Sequence, residues 1–382
     1  MLRAHYPMAS EGYPELGSLT TLSYLIGPRS FIRRGRKKVY PNIMGFLIGE
    51  SSTTMKSSVI DYNIEILKGL YPGKDNADRA KTTRIRNPAG TESLEASLSR
   101  KSENDLSINE FWWYQSEQGT LMATMKKEFG AGIADDLTLL FDMDEIHKDY
   151  KDAKKDVDIP PMYVAALWGA TPSVCINHLI PIHAEQGYLQ RPAVVFGVPK
   201  RPTIPLPTVT PSMTSDFEAM AGRYKLAAAG ISHVSEVEHV LDSDAKDLLD
   251  AWESDLDARI DAGSLDGASA KRGLNIALKV VQVNEYANLN VIYSTNTIDM
   301  TAMDAAIKES EVYITGGQEL RSIISDKPDF TKAKLLVRKL GQVDEVDIMK
   351  SCHIEDARLV EIGKSLKKMK LVSINKGVWK WK

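Results

Sequence analysis

Asn42-Ile43-Met44-Gly45-Phe46-Leu47-Ile48-Gly49-Glu50-Ser51-Ser52-Thr53-Thr54-Met55-Lys56-Ser57-Ser58 decides the reading of this chain. The apolar run Ile43 to Ile48 has strand character, stops at Gly49 and opens into a hydroxyl-rich loop, after which a helical pattern runs from Ser57 to Leu70. A buried strand that delivers a Gly-anchored loop to a helix N-terminus makes a phosphate cradle. Backbone N–H groups face the anion, a Lys neutralises its outer oxygens and a hydroxyl ligates magnesium. The candidate phosphate-binding residues are therefore Gly49, Glu50, Ser51, Ser52, Thr53, Thr54, Met55, Lys56, Ser57 and Ser58, with Lys56 as the cation and Ser57 as the Mg2+ ligand, which suggests an NTPase using ATP. The spacing departs from G-x-x-x-x-G-K-[ST], because six residues separate Gly49 from Lys56 and no second Gly precedes the Lys. The same hydroxyls would also suit a loop that simply caps the helix Ser57–Leu70.

The chain has 382 residues, 43% apolar and 26% charged, which is the composition of a globular protein with room for two or three domains. A net charge of −3 gives no overall attraction to nucleic acid, so such contact falls to local basic patches. Cys175 and Cys352 are too few and too far apart for a disulfide framework or a zinc site, and the seven His show no metal-ligand spacing. No apolar run approaches a membrane span and no leader pattern opens the chain, so the expected location is cytoplasmic, that of the host if the chain is viral, with no membrane partner.

Three parts are expected. Residues 1–200 alternate apolar runs with helical patterns, and Ile43–Ile48, Phe111–Tyr114, Met162–Trp168 and Ala193–Val198 are the strand candidates of an α/β core. Five prolines between Pro199 and Pro211 disfavour helix and central strand, which marks residues 201–214 as a linker. Residues 215–325 read as an all-helical unit, with patterns over Ala245–Ala262, Ala268–Ala287 and Thr301–Tyr313 and with Asp299 or Thr301 as a cap. Residues 330–382 read as three helices and a hairpin turning at Asn375-Lys376-Gly377, the order of a winged helix. From Thr331 to Lys382 there are thirteen Lys and Arg against six Asp and Glu, a local excess of about seven positive charges that suits phosphate contact. Lys364, Lys367, Lys368 and Lys370 on the third helix are the candidate contacts, and a solvated basic face is the alternative.

An NTPase of the hydrolytic type also needs an acid at the end of a second strand to polarise water. Phe111-Trp112-Trp113-Tyr114-Gln115-Ser116-Glu117 offers Glu117, with Ser116 where a magnesium-holding Asp is expected. Leu139-Leu140-Phe141-Asp142-Met143-Asp144-Glu145 offers Glu145, although its run continues a helical pattern from Ala131. Glu117 is the preferred residue, because aromatic residues favour a buried strand there. Trp112 and Trp113 are expected in the core rather than as a base-stacking pair. Thr171, after Met162–Trp168, is a candidate phosphate sensor or simply the start of a turn before Pro172. Arg191, before Ala193–Val198, is a candidate arginine finger reaching a neighbouring subunit.

Val39-Tyr40-Pro41-Asn42, the Gly49-to-Lys56 loop, Gly90-Thr91-Glu92-Ser93-Leu94, Leu167-Trp168-Gly169-Ala170-Thr171-Pro172 and Gly187 to Arg191 together resemble the primase-associated P-loop ATPases of phage and plasmid replication modules. In that family the loop Lys also sits one place late. The layout is similar to the minichromosome maintenance helicases of the AAA+ class, which form rings and carry a C-terminal winged helix. The resemblance implies a P-loop NTPase (AAA+-like) core with an all-helical lid. It implies Thr171 as first sensor, Arg191 as arginine finger and Arg272 in the lid as second sensor. Family members usually carry Asp-Glu where this chain has Ser116-Glu117, and Met55 replaces a common Arg. No primase half is present, so priming would fall to a separate primase or polymerase.

Ring helicases place a channel-lining hairpin where Glu145–Val157 falls, which makes Lys148, Lys151, Lys154 and Lys155 candidate nucleic-acid contacts, or else an exposed polar loop that Asp149, Asp152 and Asp156 partly neutralise. The run Arg33-Arg34-Gly35-Arg36-Lys37-Lys38 is expected as a solvated hairpin. The function expected from these features is an ATP-dependent replicative DNA helicase or translocase of a phage or mobile element, acting as a homo-oligomeric ring, such as a hexamer, on single-stranded or forked DNA. The alternative is a non-unwinding, nucleotide-dependent DNA-binding initiator or helicase loader.

Overall fold

The computed structural model describes residues 9–51, 53–70, 84–85, 87–104, 110–149, 156–179, 187–198, 215, 218–219, 221–224, 236–287, 296–324, 333, 336–352, 354–368 and 372–381. In chain order its elements begin with α1 (Tyr13–Ile26), β1 (Ser30–Arg34), β2 (Lys37–Val39), β3 (Met44–Ile48), α2 (Lys56–Leu70), α3 (Thr91–Asn104), β4 (Glu110–Gln115), α4 (Gly119–Met125) and α5 (Ile133–Asp142). There follow β5 (Ile146–Lys148), β6 (Val157–Ile159), β7 (Tyr163–Ala170), α6 (Pro172–His178), β8 (Ala193–Phe196), β9 (Val237–Leu241), α7 (Ser243–Asp261), α8 (Gly267–Ala287), β10 (Thr297–Ile298) and α9 (Met300–Ile324). The C-terminal part contributes β11 (Gln342–Asp344), α10 (Glu345–Cys352), α11 (Asp356–Lys368), β12 (Val372–Asn375) and β13 (Val378–Trp381).

The four expected strands form one parallel sheet in the order β4-β7-β3-β8. Every residue of β3 and β7 is buried, which explains why these segments read as continuous apolar runs rather than alternating ones. Successive side chains point to opposite faces, and the two faces carry separate cores. Leu47, Tyr114, Ala165 and Val195 pack with α1 and α8, while Phe46, Trp113, Trp168 and Val194 pack with the α3–α6 side and with α9. Trp113 and Trp168 meet edge to face at 5.4 Å, so both tryptophans of β4 belong to the core as expected. The helix α1 is buried along most of its length, and its hydroxyls are satisfied: Thr21 donates to Asn63 Oδ1, and Ser23 donates to the Pro41 carbonyl.

Residues 215–325 are not wholly helical. β9 and β10 join the β1–β2 hairpin in a second sheet, order β10-β9-β1-β2, with β9 parallel to β1. The expected solvated basic hairpin exists, and four of its five cations have acidic partners: Arg33 with Glu238, Arg34 with Glu253, Lys37 with Asp144 and Lys38 with Glu236. Asp242 caps α7 and Asp299 caps α9 through side-chain bonds to backbone N–H groups. α9 runs on to Ile324, because Gly316 packs against β8; a Cβ there would lie 2.0 Å from the Val194 carbonyl oxygen.

The C-terminal part has its own small core around Trp379, Ile362 and Leu366. Its strands run β11-β13-β12, and the turn holds Lys376 and Gly377 at φ 48° and 75°, as a two-residue hairpin requires. β11 adds a third strand to the expected helices and hairpin. The proline-rich segment 199–214 lies outside the described residues.

Candidate functional site

The parallel sheet delivers three loop ends to one edge. Gly49 N donates to the Ala170 carbonyl and Gln118 N to the Gly169 carbonyl, so the ends of β3, β7 and β4 lie side by side. Residues 49, 117 and 171, remote in sequence, thus share one mouth.

Gly49 has no room for a side chain: a Cβ would lie 2.3 Å from the Tyr13 hydroxyl and 2.6 Å from Thr54 Oγ1. Tyr13, fully buried, donates to the Ile48 carbonyl at 2.7 Å, and burial pushes its pKa up, so it remains a neutral donor. Thr54 Oγ1 donates to the Glu50 carbonyl at 2.9 Å, and Ser10 N donates to the Thr54 carbonyl. The loop is therefore braced from within and by the segment preceding α1. Met55 has φ 56°, the left-handed value that usually selects Gly. It directly precedes the Lys, as the second Gly of the standard motif does, so the backbone demand persists where the glycine is absent.

Lys56 is the first residue of α2 and is 3% exposed. Its ammonium lies 3.5 Å from a Glu117 carboxylate oxygen, and Glu117 is 53% exposed. Positive charge at a helix N-terminus faces the unsatisfied N–H groups there, an arrangement that favours an anion. Glu145 is exposed beside β5, beyond the end of α5, and the helical reading of Leu139–Asp142 holds. Thr171 caps α6, accepting from Val174 N at 3.3 Å, so its side chain serves a helix start while standing next to Gly49. Ser57 and Ser58 are half-buried in the first turn of α2; Ser52 lies outside the described residues.

Arg191 and Arg272 lie at the other end of the strands. Arg191 precedes β8 and Asn42 precedes β3, seven residues before Gly49, a distance of about 23 Å at 3.3 Å per residue. Arg191 donates to the Gly187 carbonyl and to Asp142 at 2.7 Å, and Arg272 donates to Asp142 at 3.5 Å. Burial pulls the Asp142 carboxyl upward, but the bond from Arg191 and the charge of both arginines hold it below the ordinary range. Lys279, fully buried, donates to Asn42 Oδ1 at 2.7 Å and to the Asn42 and Phe141 carbonyls at 3.0 Å, and burial pushes its pKa well down. Sequence reasoning missed Asp142 and Lys279; a Lys inside the apolar run Ala277-Leu278-Lys279-Val280-Val281 was the available signal.

The candidate nucleic-acid lysines divide. β5 and β6 do form an antiparallel hairpin, but the Lys148 ammonium is turned inward, bonding Glu95 at 2.7 Å and Asp136. Lys151, Lys154 and Lys155 lie outside the described residues. Lys364 and Lys367 are exposed on α11, opposite buried Ile362 and Leu366; the side chain of Lys368 and all of Lys370 lie outside the described residues. The C-terminal part meets the loop: Lys339 lies 3.5 Å from Glu50, and Arg338 pairs with Glu319 of α9 and covers the Phe196 ring at 5.7 Å. No family model and no curated protein matches this sequence. The architecture is a mixed α/β fold with a parallel sheet, and among the described residues no helix is long and apolar enough to cross a membrane.

Proposed function

We propose that the chain is an ATP-dependent DNA translocase or helicase of a mobile element's replication system, working as a ring with ATP sites between subunits. The observation that carries it is the meeting of Lys56 and Glu117 at the edge where the loop after β3 enters α2. The donor set suits a triphosphate: a buried ammonium, loop backbone N–H groups and the Ser57 hydroxyl, all at a helix N-terminus. Bound ATP would supply the phosphoryl group, and Mg2+ held by Ser57 would offset its charge. Lys56, now paired with Glu117, would pair with phosphate oxygens, and that exchange frees Glu117 to accept a proton from water. Thr171 stands beside Gly49, within the same mouth, where its hydroxyl can exchange the cap bond for a phosphate oxygen.

Arg191 and Arg272 are at the wrong end of the strands to reach the chain's own loop. Arg191 is buried and bonded to Asp142 and the Gly187 carbonyl, which speaks against an arginine finger, whereas the partly exposed Arg272 suits the phosphate of a nucleotide held by a second copy. The C-terminal part, with Lys364 and Lys367 exposed on α11, supports contact with a DNA backbone. One observation favours a non-unwinding initiator or loader instead: Ser116 stands where a second magnesium ligand would be expected. The test is DNA-stimulated ATP hydrolysis in the wild type, Lys56→Ala and Glu117→Gln. Loss in both variants supports the proposal, and unchanged hydrolysis in both removes its basis. Unwinding of a forked duplex separates helicase from loader.

A further inference from the structure

The acid at the end of β4 has a neighbour whose side chain is unsatisfied. Gln118 directly follows Glu117 and is 1% exposed, and neither its Oε1 nor its Nε2 has a hydrogen-bond partner among the described residues. No other side chain among those residues has two such atoms. The backbone of Gln118 is fixed: its N–H donates to the Gly169 carbonyl at 2.8 Å, and its carbonyl accepts from Met122 N at 3.0 Å. β4 is held tightly to β7 here, since a Cβ on Gly169 would lie 2.5 Å from the Ser116 carbonyl oxygen. Gln118 stands at the N-cap of α4, yet its carboxamide makes no cap bond. A buried amide without partners costs stability, because it has given up its bonds to water and made none in exchange. Neither the helix start nor the strand ladder uses this side chain, and an apolar residue would suit the position, as at the nearby buried Leu121 and Met122. Its surroundings are those of the nucleotide site. Glu117 lies 3.5 Å from Lys56, and Gly119 faces α6, where a Cβ would lie 3.5 Å from Val174 Cγ1, the residue whose N–H donates to Thr171. Gln118 is therefore held between the Lys56–Glu117 pair and the start of α6.

A carboxamide donates from Nε2 and accepts at Oε1 at once, without adding charge. A phosphate oxygen and a water in line with the phosphorus present the complementary acceptor and donor. We infer that Gln118 is a further catalytic residue of the nucleotide site, its Nε2 donating to a terminal phosphate oxygen of ATP and its Oε1 accepting from the attacking water, whose other proton goes to Glu117. This role rests on the reading of the Lys56 loop as a nucleotide site. In the step it serves, the water oxygen forms a bond to the terminal phosphorus while the bond from that phosphorus to the bridging oxygen breaks, its electron pair staying on ADP. The proton taken by Glu117 passes on to solvent, leaving ADP and inorganic phosphate. Glu117 fixes one direction of the water and Gln118 a second, and orientation of this kind acts on turnover rather than on ground-state binding. Lys56 is covered to a similar degree as Gln118, at 3% exposed, while Glu117 holds it, so phosphate that separates the pair opens the way to both.

The test compares the wild-type full chain with Gln118→Leu and Gln118→Glu in the presence of single-stranded DNA. Gln118→Leu is expected to keep KM for ATP and the affinity for a non-hydrolysable analogue with Mg2+ within about threefold, while kcat falls about 100-fold. Its affinity for ADP with aluminium fluoride, which mimics the transferring phosphoryl group, should fall about tenfold or more. Its melting temperature should hold or rise, because the unpaired amide is gone. A Gln118 that serves structure alone predicts the opposite, a lower melting temperature with kcat retained. In Gln118→Glu the carboxyl donates only when protonated, so its kcat relative to wild type should climb as the pH is lowered from about 8 to about 6. A kcat for Gln118→Leu within about threefold of wild type, or a loss of analogue affinity as large as the loss of kcat, overturns the role. Should Gln118→Leu melt well below wild type, the Gln118→Glu ratio decides, and a ratio that stays flat with pH overturns the donor. Hydrolysis lost in Lys56→Ala and Glu117→Gln but kept in Gln118→Leu overturns the role of Gln118 alone, whereas a wild-type chain without hydrolysis overturns it together with the nucleotide site.

Discussion

Lys148→Met tests what holds the β5–β6 hairpin. The Lys148 ammonium is 26% exposed, whereas its partners Glu95 and Asp136 are 1% and 0% exposed. Removing it leaves two buried carboxylates side by side, and Met keeps the bulk of the stem, so the loss is electrostatic. Deleting one partner of a buried pair costs about 3–5 kcal/mol. Burial already raises the Asp136 carboxyl from 3.8 to about 6, despite the opposing pull of Lys148. A carboxyl raised in the folded state contributes stability that is fully present below pH 3.8 and is lost as the pH climbs through about 6. Without the ammonium Asp136 rises further, and acid then relieves the variant by about 1.4 kcal/mol for each pH unit below that pKa. Urea denaturation is followed by the fluorescence of the buried tryptophans of β4 and β7. At pH 8 the variant is expected to be less stable by about 3–5 kcal/mol, and at pH 5 the gap should shrink to about half. A gap below about 1 kcal/mol at pH 8, accompanied by weaker DNA binding, would refute the anchoring role and return Lys148 to the nucleic-acid contacts.

Three further outcomes are expected. Gly49→Ala forces a Cβ to 2.3 Å from the Tyr13 hydroxyl, so nucleotide affinity and melting temperature both fall, and Tyr13→Phe in the same chain recovers part of each; equal loss in single and double variants would contradict the steric account. Met55→Gly relieves about 1 kcal/mol of left-handed strain, offset by a similar gain in unfolded-chain entropy, so thermal stability stays nearly constant and nucleotide binding, read by titration, is kept. Lys364→Ala with Lys367→Ala lowers the slope of log affinity for DNA against log salt by about two, without changing sequence preference; an unaltered slope would take α11 out of the interface.

Much of the core was legible in the sequence because buried parallel strands are written as uninterrupted apolar runs, and Ile43–Ile48 and Met162–Trp168 match β3 and β7 to within a residue or two. β9 and β10 were not, since Val237–Leu241 and Thr297–Ile298 are short and become strands only by pairing with the distant hairpin at Ser30–Arg34. The full length of α9 was hidden by Gly316-Gly317, which resembles a stop and instead allows close packing on β8. At the candidate site, Lys56 and Glu117 could be named from local pattern, because each ends a strand or starts a helix. Asp142 could not, because its meaning lies in the two arginines that tertiary folding brings to it. Charge and neighbours in sequence make Lys148 look like a nucleic-acid contact, whereas its surroundings are set by Glu95 on α3 and Asp136 on α5.

The most direct measurement is equilibrium binding of a non-hydrolysable ATP analogue with Mg2+ to the wild-type chain and to Lys56→Ala. Saturable binding in the wild type, weakened about 10- to 100-fold when the ammonium is removed, is the predicted result. Equal affinity in both chains, or no binding to either, would contradict the assignment of the Gly49–Ser58 loop as the phosphate cradle.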